Sequence, residues 1–246
     1  MITFNREANT DYLFAGLLEK EMINHPTDIN LTINIDPCIS ANDIYYSQDT
    51  TLKGDKVEHE FVFFIEPSWR EHFQGKYKNK CALVTYAADP LIHKPYNLEK
   101  DYDIGFIGNI NGDDRIEYLN ALKSSGLKCY ISSNIPGNIM ASELSRCKLL
   151  FNHIRFVDIN LRFFETMAIG CQLVNRKSSL KEFAEENIHY FGYDNPTEML
   201  LIVKRLLKDD DLRNRTSLRA RSHFLSNHTY AHRSQSIINH LTEIYV

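Results

Sequence analysis

An arginine and a glutamate stand three positions apart at the start of a short apolar segment that runs from Asn160 to Gly170. In a helix this spacing places Arg162 and Glu165 on one face of the first turns. The N–H groups of a first turn lack helical partners and carry partial positive charge, so an arginine beside them favours a bound diphosphate. A carboxylate one turn further in accepts hydrogen bonds from vicinal hydroxyl groups. The segment predicts a phosphate-and-ribose site that includes Asn160 and Leu161.

The neighbouring segments predict the elements that position this site. Gly170 ends the helix, and the apolar run that follows it is typical of a strand. Strand and helix patterns alternate in this half of the chain, which predicts a parallel, doubly wound sheet with ligands at the carboxyl ends of its strands. The predicted elements are 102–107, 115–124, 128–132, 139–146, 148–152, 171–175, 188–191, 196–207, 210–225 and 230–244. Asn195 and Asp209 are suitable N-caps for two of the helices.

The first hundred residues give weaker patterns. They predict a small α/β lobe with a polar loop and a proline-containing linker before the second half. The predicted strands are 2–4, 29–35, 61–65 and 81–86, the helix is 12–22, the loop is 36–58 and the linker is 88–98.

Composition and charge exclude several classes of protein. The net charge of −4 argues against a general nucleic-acid binder. No apolar run approaches the about 20 residues that span a bilayer. The five cysteines are widely spaced, and no Cys-x-x-Cys or His-x-x-x-His pattern occurs, so we expect buried thiols in a reducing cytoplasm and no structural zinc.

The segment from Asn160 to Gly170 reads Asn-Leu-Arg-x-Phe-Glu-x-Met-Ala-x-Gly, which resembles the donor-site signature of the CgeB-like glycosyltransferases. These are group-1-like enzymes of GT-B fold. The resemblance continues in family order in residues 101–109 with Arg115, in 209–213 and in 228–233. It implies a GT-B-like α/β protein with two Rossmann-like lobes on parallel sheets. It also implies transfer of a sugar from a nucleoside-diphosphate sugar, with a UDP-sugar expected, and no metal or other cofactor.

The resemblance also implies a division of the chain. Residues 1–98 form the acceptor lobe, 99–228 form the nucleotide-sugar lobe, and the helix within 229–246 packs back on the first lobe. The first lobe is trimmed relative to the family. Three explanations remain open: a small acceptor, an acceptor site completed by a second subunit in a homo-oligomer, or loss of catalysis. The acceptor itself is open among a glycan, a small molecule, a protein and modified DNA.

The donor-site roles follow from the same resemblance. Arg115 and Arg162 hold the diphosphate, Glu165 binds the ribose as an exposed carboxylate of the cleft, and Asn134 lies at the edge of the base. The full predicted donor set is Gly108, Asn109, Arg115, Asn134, His153, Asn160, Leu161, Arg162 and Glu165. Five of these nine residues have a structural alternative: a salt bridge for the two arginines, a turn for Gly108, a helix-terminal acid for Glu165 and a core position for His153.

Two residues are predicted to act in catalysis. Arg162 stabilises the charge that develops on the leaving diphosphate. Glu66, at the end of a strand of the first lobe, is the candidate base for an inverting reaction, with Asp36 and Asp89 as alternatives that turns also explain. Many retaining relatives carry a second glutamate where this chain has Val157, with Asp158 beside it, so the stereochemistry stays open.

Two competing functions remain. Val157 and the trimmed lobe fit a non-catalytic protein that binds a nucleotide sugar or a glycan. A basic face could contact a DNA acceptor with modified bases. This alternative is weaker, because acidic residues are interspersed with the cations. That face comprises Lys204, Arg205, Lys208, Arg213, Arg215, Arg219 and Arg221.

Overall fold

The computed structural model describes Ile2–Phe4, Leu31–Ile33 and residues 62–78, 81–110, 113–155 and 157–245. The predicted helix 12–22 and loop 36–58, with Asp36, lie outside these residues. The chain divides into two compact units, Met1–Thr85 with Tyr230–Val246, and Tyr86–Thr229. The predicted lobe boundary at residue 98 and the roles of the lobes stay predictions.

Strands and helices alternate between Tyr102 and Asn175. The strands are β1 Ile2–Phe4, β2 Leu31–Ile33, β3 Val62–Phe64, β4 Cys81–Leu83, β5 Tyr102–Ile107, β6 Cys129–Ser132, β7 Cys147–Asn152, β8 Gln172–Asn175 and β9 Phe191–Tyr193. The helices are α1 Arg70–Tyr77, α2 Asp113–Ser124, α3 Gly137–Ser145, α4 Leu161–Ile169, α5 Pro196–Leu206, α6 Asp210–Asn227 and α7 Tyr230–Tyr245. Among the described helices, none is both long enough and apolar enough to cross a membrane.

In the first unit, β1 pairs with β2 and β3 pairs with β4, both in parallel. Phe64 on β3 stacks on Phe73 of α1, with ring centroids 5.1 Å apart. The terminal helix α7 belongs to the same unit. It is connected to the end of the unit's first segment, because Arg233 Nε donates to the Thr85 carbonyl at 3.0 Å. The predicted parallel α/β character is therefore present here.

The second unit is built on a five-stranded parallel sheet of order β6-β5-β7-β8-β9. Successive residues of a strand point to opposite faces, so each strand contributes to two cores. Leu149 and Phe151 face the α2 and α5 side, whereas Leu150 joins a cluster with Met140 and Leu144 of α3. Helices cover both faces, as a parallel sheet requires. The α/β fold class predicted from the sequence is confirmed.

Local signals set most element ends. Asn195 and Asp209 cap their helices as predicted, because their Oδ1 atoms accept from Glu198 N and Leu212 N at 2.9 and 2.8 Å. The predicted strand 188–191 was wrong, since β9 begins only at Phe191. Its predicted start is instead a turn, in which Asn187 has a φ of 65°.

Gly105 supplies a test of the sheet packing. A Cβ at this position would lie 2.4 Å from Cys147 Sγ. We expect Gly105→Ala to lower the free energy of unfolding by about 1–3 kcal/mol, the usual cost of overpacking, in urea titrations. Gly75→Ala is the control, because nothing lies within 4 Å of its added Cβ. Exchanging Cys147 for alanine should restore part of the loss; equal stability of both glycine variants would contradict this packing.

Candidate donor site

The predicted phosphate-and-ribose segment forms the start of α4. Asn160 is its N-cap, with Oδ1 accepting from Phe163 N at 3.0 Å. Leu161 is the first helical residue and is half-buried. The Asn160 amide also pairs with the amide of Asn152 at the end of β7, through two hydrogen bonds of 3.0 Å. The helix start is thereby fixed to the carboxyl end of a central strand, where ligands bind in such sheets.

Glu165 is buried, which corrects the expectation of an exposed carboxylate. Only 7% of the residue is accessible. Its Oε2 lies 2.9 Å from Arg162 Nη1 and its Oε1 lies 3.1 Å from His93 Nε2. Burial acts to raise the pKa of Glu165, but the charge of Arg162 and the contact with His93 leave it below its ordinary value. The carboxylate is therefore ionised at neutral pH.

His93 was missed by sequence reasoning, which placed it in the linker. A tight turn holds it, because His93 N donates to the Asp89 carbonyl at 2.7 Å and Leu91 N donates to Asp89 Oδ1 at 2.8 Å. Asp89, an alternative candidate for the catalytic base, thus has the turn-forming role that its sequence position also suggested. Arg221 on α6 contacts the His93 carbonyl at 3.4 Å and the Ala168 carbonyl at 2.7 Å. No local motif marks His93 as a site residue, since Glu165 and Arg221, which contact it from α4 and α6, are distant in sequence.

Arg115 is held by two backbone carbonyls at the sheet edge. Its Nη1 donates to Asn109 O at 2.5 Å and its Nη2 donates to His153 O at 2.7 Å. Burial and neighbouring Arg155 lower the pKa of Arg115 to about 10, so the guanidinium stays charged at neutral pH. In this arrangement it joins the loops that follow β5 and β7.

His153 is buried in the core, which is the structural alternative that the sequence left open for it. Its ring lies 4.3 Å from the Tyr118 ring, and its Nδ1 lies 3.2 Å from the Tyr193 hydroxyl. Burial lowers the pKa of His153 to about 4, against the opposing charge of Asp114. Arg155 Nε donates to Asp114 Oδ1 at 2.9 Å. Among the described residues, no cluster of His, Cys, Asp or Glu is suited to a metal ion.

The loop between β7 and α4 is fixed by Asn175 at the end of β8. Its Oδ1 accepts from Ile154 N at 2.6 Å, and its Nδ2 donates to Ile154 O at 2.7 Å. Ser179 Oγ donates to Asp158 O at 3.1 Å, and Lys177 Nζ donates to Arg155 O at 3.2 Å. Sequence reasoning missed Asn175, because an asparagine after a strand also suits an ordinary turn.

The remaining predicted residues lie at other strand ends. Gly108 follows β5, and its N–H donates to Ser132 O at 3.1 Å. Asn109 is exposed, and Asn134 is exposed after β6 with a φ of 56°. Glu66 lies in the first unit, where its carbonyl accepts from Trp69 N at 3.1 Å. The donor-site and catalytic roles of these residues stay predictions.

Three buried side-chain nitrogens make no hydrogen bond in the described part of the second unit. They are His93 Nε2, Arg115 Nε and Arg162 Nη1. The His93 and Arg162 nitrogens approach Glu165 closely, yet their N–H bonds are not aligned with its oxygens. Buried donors without partners are uncommon in native proteins and call for an explanation. All three belong to the edge of the sheet at which the sequence predicted a ligand.

A separate open cavity of about 730 Å³ lies around the turn before β9 and the end of α6. His189 and His223 stack there with centroids 4.3 Å apart. None of the predicted donor-site residues lines this cavity, and Lys177 connects it to the loop after β7. The cavity and the predicted donor site therefore involve different residues.

Solved structures with the same fold are GT-B glycosyltransferases. Sucrose-phosphate synthase from Thermosynechococcus elongatus matches with a TM-score of 0.61 at 9% identity, over 94% of this chain and 72% of that one. Anabaena HepE in complex with UDP and glucose matches with a TM-score of 0.66 at 9% identity, over 98% and 77%. The DNA-modifying enzyme β-glucosyltransferase matches with a TM-score of 0.55 at 13% identity, over 95% of both chains. Likeness at such identities shows the fold.

The chain therefore has the GT-B fold of these glycosyltransferases. Residues 91–239 match the sequence profile of the glycosyl transferase-like family, and the chain belongs to that family. No curated protein sequence matches the chain.

The low pKa of His153 predicts a pH dependence of stability. The unfolded chain takes up a proton near pH 6.5 that the folded state binds only near pH 4. The free energy of unfolding should therefore be highest above pH 6.5 and fall towards pH 4, by up to about 3 kcal/mol from this group.

Urea titrations of wild type and His153→Phe across this range measure the effect. Their difference in unfolding free energy should shrink as the pH falls. A difference that does not vary with pH would show that His153 is not held neutral.

Proposed function

We propose that this chain transfers a sugar from a nucleoside-diphosphate sugar, with a UDP-sugar as the donor, to an acceptor hydroxyl without a metal ion. The observation that carries the proposal is the pair of buried nitrogens, His93 Nε2 and Arg162 Nη1, that lie beside Glu165 on α4 without hydrogen bonds. A ribose and a diphosphate supply the hydroxyls and oxygens that such donors and such a carboxylate bind.

The residues divide the work as follows. Glu165 accepts from ribose hydroxyls, while Arg162 and the N–H groups of α4 bind the diphosphate. Arg115 acts mainly by positioning the two loops that its guanidinium joins. In the reaction, the bond between the anomeric carbon and the phosphate oxygen breaks, and the acceptor oxygen bonds to that carbon. Arg162 stabilises the charge left on the diphosphate, and Glu66 takes the acceptor proton if the configuration inverts.

Two further observations support the donor class. The structure of HepE, which shares the fold, contains UDP and glucose. The signature from Asn160 to Gly170, with its companion segments in order, favours the CgeB-like subgroup. A UDP-sugar is therefore the first donor to test, and the widely spaced cysteines support the cytoplasm as the expected location.

Thermal unfolding tests the donor. UDP at about 100 times its dissociation constant should add about 2.7 kcal/mol of stability, visible as a higher Tm. GDP and TDP at equal concentration should give smaller shifts. Glu165→Gln should weaken UDP binding about tenfold or more, because it removes a charged acceptor. EDTA should leave the shift unchanged, because cationic side chains and a helix end take the place of a metal.

Glu143→Gln is the matched control, since Glu143 on α3 forms an ion pair with Arg146, the residue after that helix, rather than with Arg162. It should bind UDP as wild type does. Unchanged UDP affinity in a folded Glu165→Gln protein would refute the ribose role. UDP-sugar binding with no transfer or hydrolysis would favour the non-catalytic alternative.

A second candidate for the acceptor is DNA with hydroxylated bases. Its support is the likeness to the DNA-modifying β-glucosyltransferase over 95% of both chains. If DNA is the acceptor, affinity for duplex DNA should fall steeply as salt rises, and Arg215→Ser or Arg219→Ser should reduce that slope by about one each. Absence of binding at low salt would exclude this acceptor.

A further inference from the structure

His93 is oriented by the turn that carries it. Asp89 N–H points at His93 Nδ1 at 3.3 Å, so Nδ1 is an acceptor and the ring proton resides on Nε2. The residue is 6% exposed, and its Nε2 lies 3.1 Å from Glu165 Oε1. This N–H makes no hydrogen bond in the structure. A buried donor is thus fixed beside a buried acceptor without being aligned with it.

Such a pair is complementary to a hydroxyl group. Glu165 as a carboxylate only accepts hydrogen bonds, and the Nε2–H of His93 only donates them. A hydroxyl does both, so one hydroxyl can accept from His93 while it donates to Glu165 Oε1. The second oxygen, Oε2, remains for the neighbouring hydroxyl of a vicinal diol. Carboxylate and imidazole together therefore distinguish a diol from a single hydroxyl.

The surroundings of the His93 ring are consistent with this role. Gly137, the first residue of α3, brings no side chain to the ring, and a Cβ there would lie 3.4 Å from Nε2. Arg221 holds the carbonyl of His93 and that of Ala168 on α4, so the ring and the helix that carries Glu165 share an anchor. The backbone that carries His93 is therefore connected to the helix that carries Glu165.

We propose that His93 is a ribose-recognising residue of the donor site, binding one hydroxyl of the nucleotide jointly with Glu165. The inference rests on the proposed function, because it takes the ligand of Glu165 to be a ribose. It adds a specificity residue that lies outside the signature segment.

The test compares UDP with 2′-deoxy-UDP and 3′-deoxy-UDP by calorimetry on wild type and His93→Phe. Wild type should prefer UDP over at least one deoxy analogue by about tenfold, the value of a hydrogen bond to a charged group. In His93→Phe this preference should fall but not vanish, because the hydroxyl keeps only its hydrogen bond to Glu165, while affinity for that analogue changes little. His93→Gln keeps an N–H donor and should recover part of the preference.

His228→Phe is the matched control, because His228 is also 6% exposed and lies in the same unit. It should alter the Tm without altering the preference for the ribose. If His93→Phe weakens all three nucleotides equally, or leaves the preference intact, His93 is only structural and the inference fails. If wild type binds no UDP, GDP or TDP, the proposed function fails, and this inference falls with it.

Discussion

The charge of the buried Glu165 carboxylate is the constraint on which the site depends. An ionised carboxylate removed from water costs several kcal/mol unless cations or donors surround it. Arg162 and His93 supply that compensation at 2.9 and 3.1 Å, and the start of α4 adds the favourable end of a helix dipole. Because His93 belongs to the turn at Asp89, this electrostatic requirement joins α4 to a segment far away in sequence. Arg221 strengthens the same connection from α6.

The supporting shell shows how such a site is kept ready for a ligand. Backbone carbonyls fix Arg115, the Asn152–Asn160 amide pair fixes the start of α4, and Asn175 fixes Ile154. The donors are therefore held in place by groups other than the ligand, so little reorganisation is needed on binding. Leaving buried donors unpaired reduces stability, and the two well-packed faces of the parallel sheet offset that loss.

The sequence predicted the features that local rules control. Alternating strand and helix patterns gave the parallel sheet, cap residues gave the starts of α5 and α6, and i,i+3 spacing placed Arg162 beside Glu165. It did not predict features that depend on tertiary packing. The burial of Glu165 requires His93, which no spacing rule connects to it, and the partners of Arg115 are carbonyls that every residue possesses. The start of β9 was misplaced because apolar residues before Phe191 belong to a turn.

The proposed metal-free chemistry depends on which arginines of the site already have hydrogen-bond partners within the protein. Arg155 is paired with Asp114, and both terminal nitrogens of Arg115 donate to carbonyls. Arg162 differs, because its Nη1 approaches Glu165 without a hydrogen bond while lying beside the N–H groups of α4. A ribose is neutral, so its hydroxyls would leave the ion pair of Glu165 and Arg162 in place, and the N–H groups of the helix start would face the diphosphate beside that guanidinium. The charge developing on the leaving group would then meet donors that are already fixed in position, which is where electrostatic stabilisation is most effective.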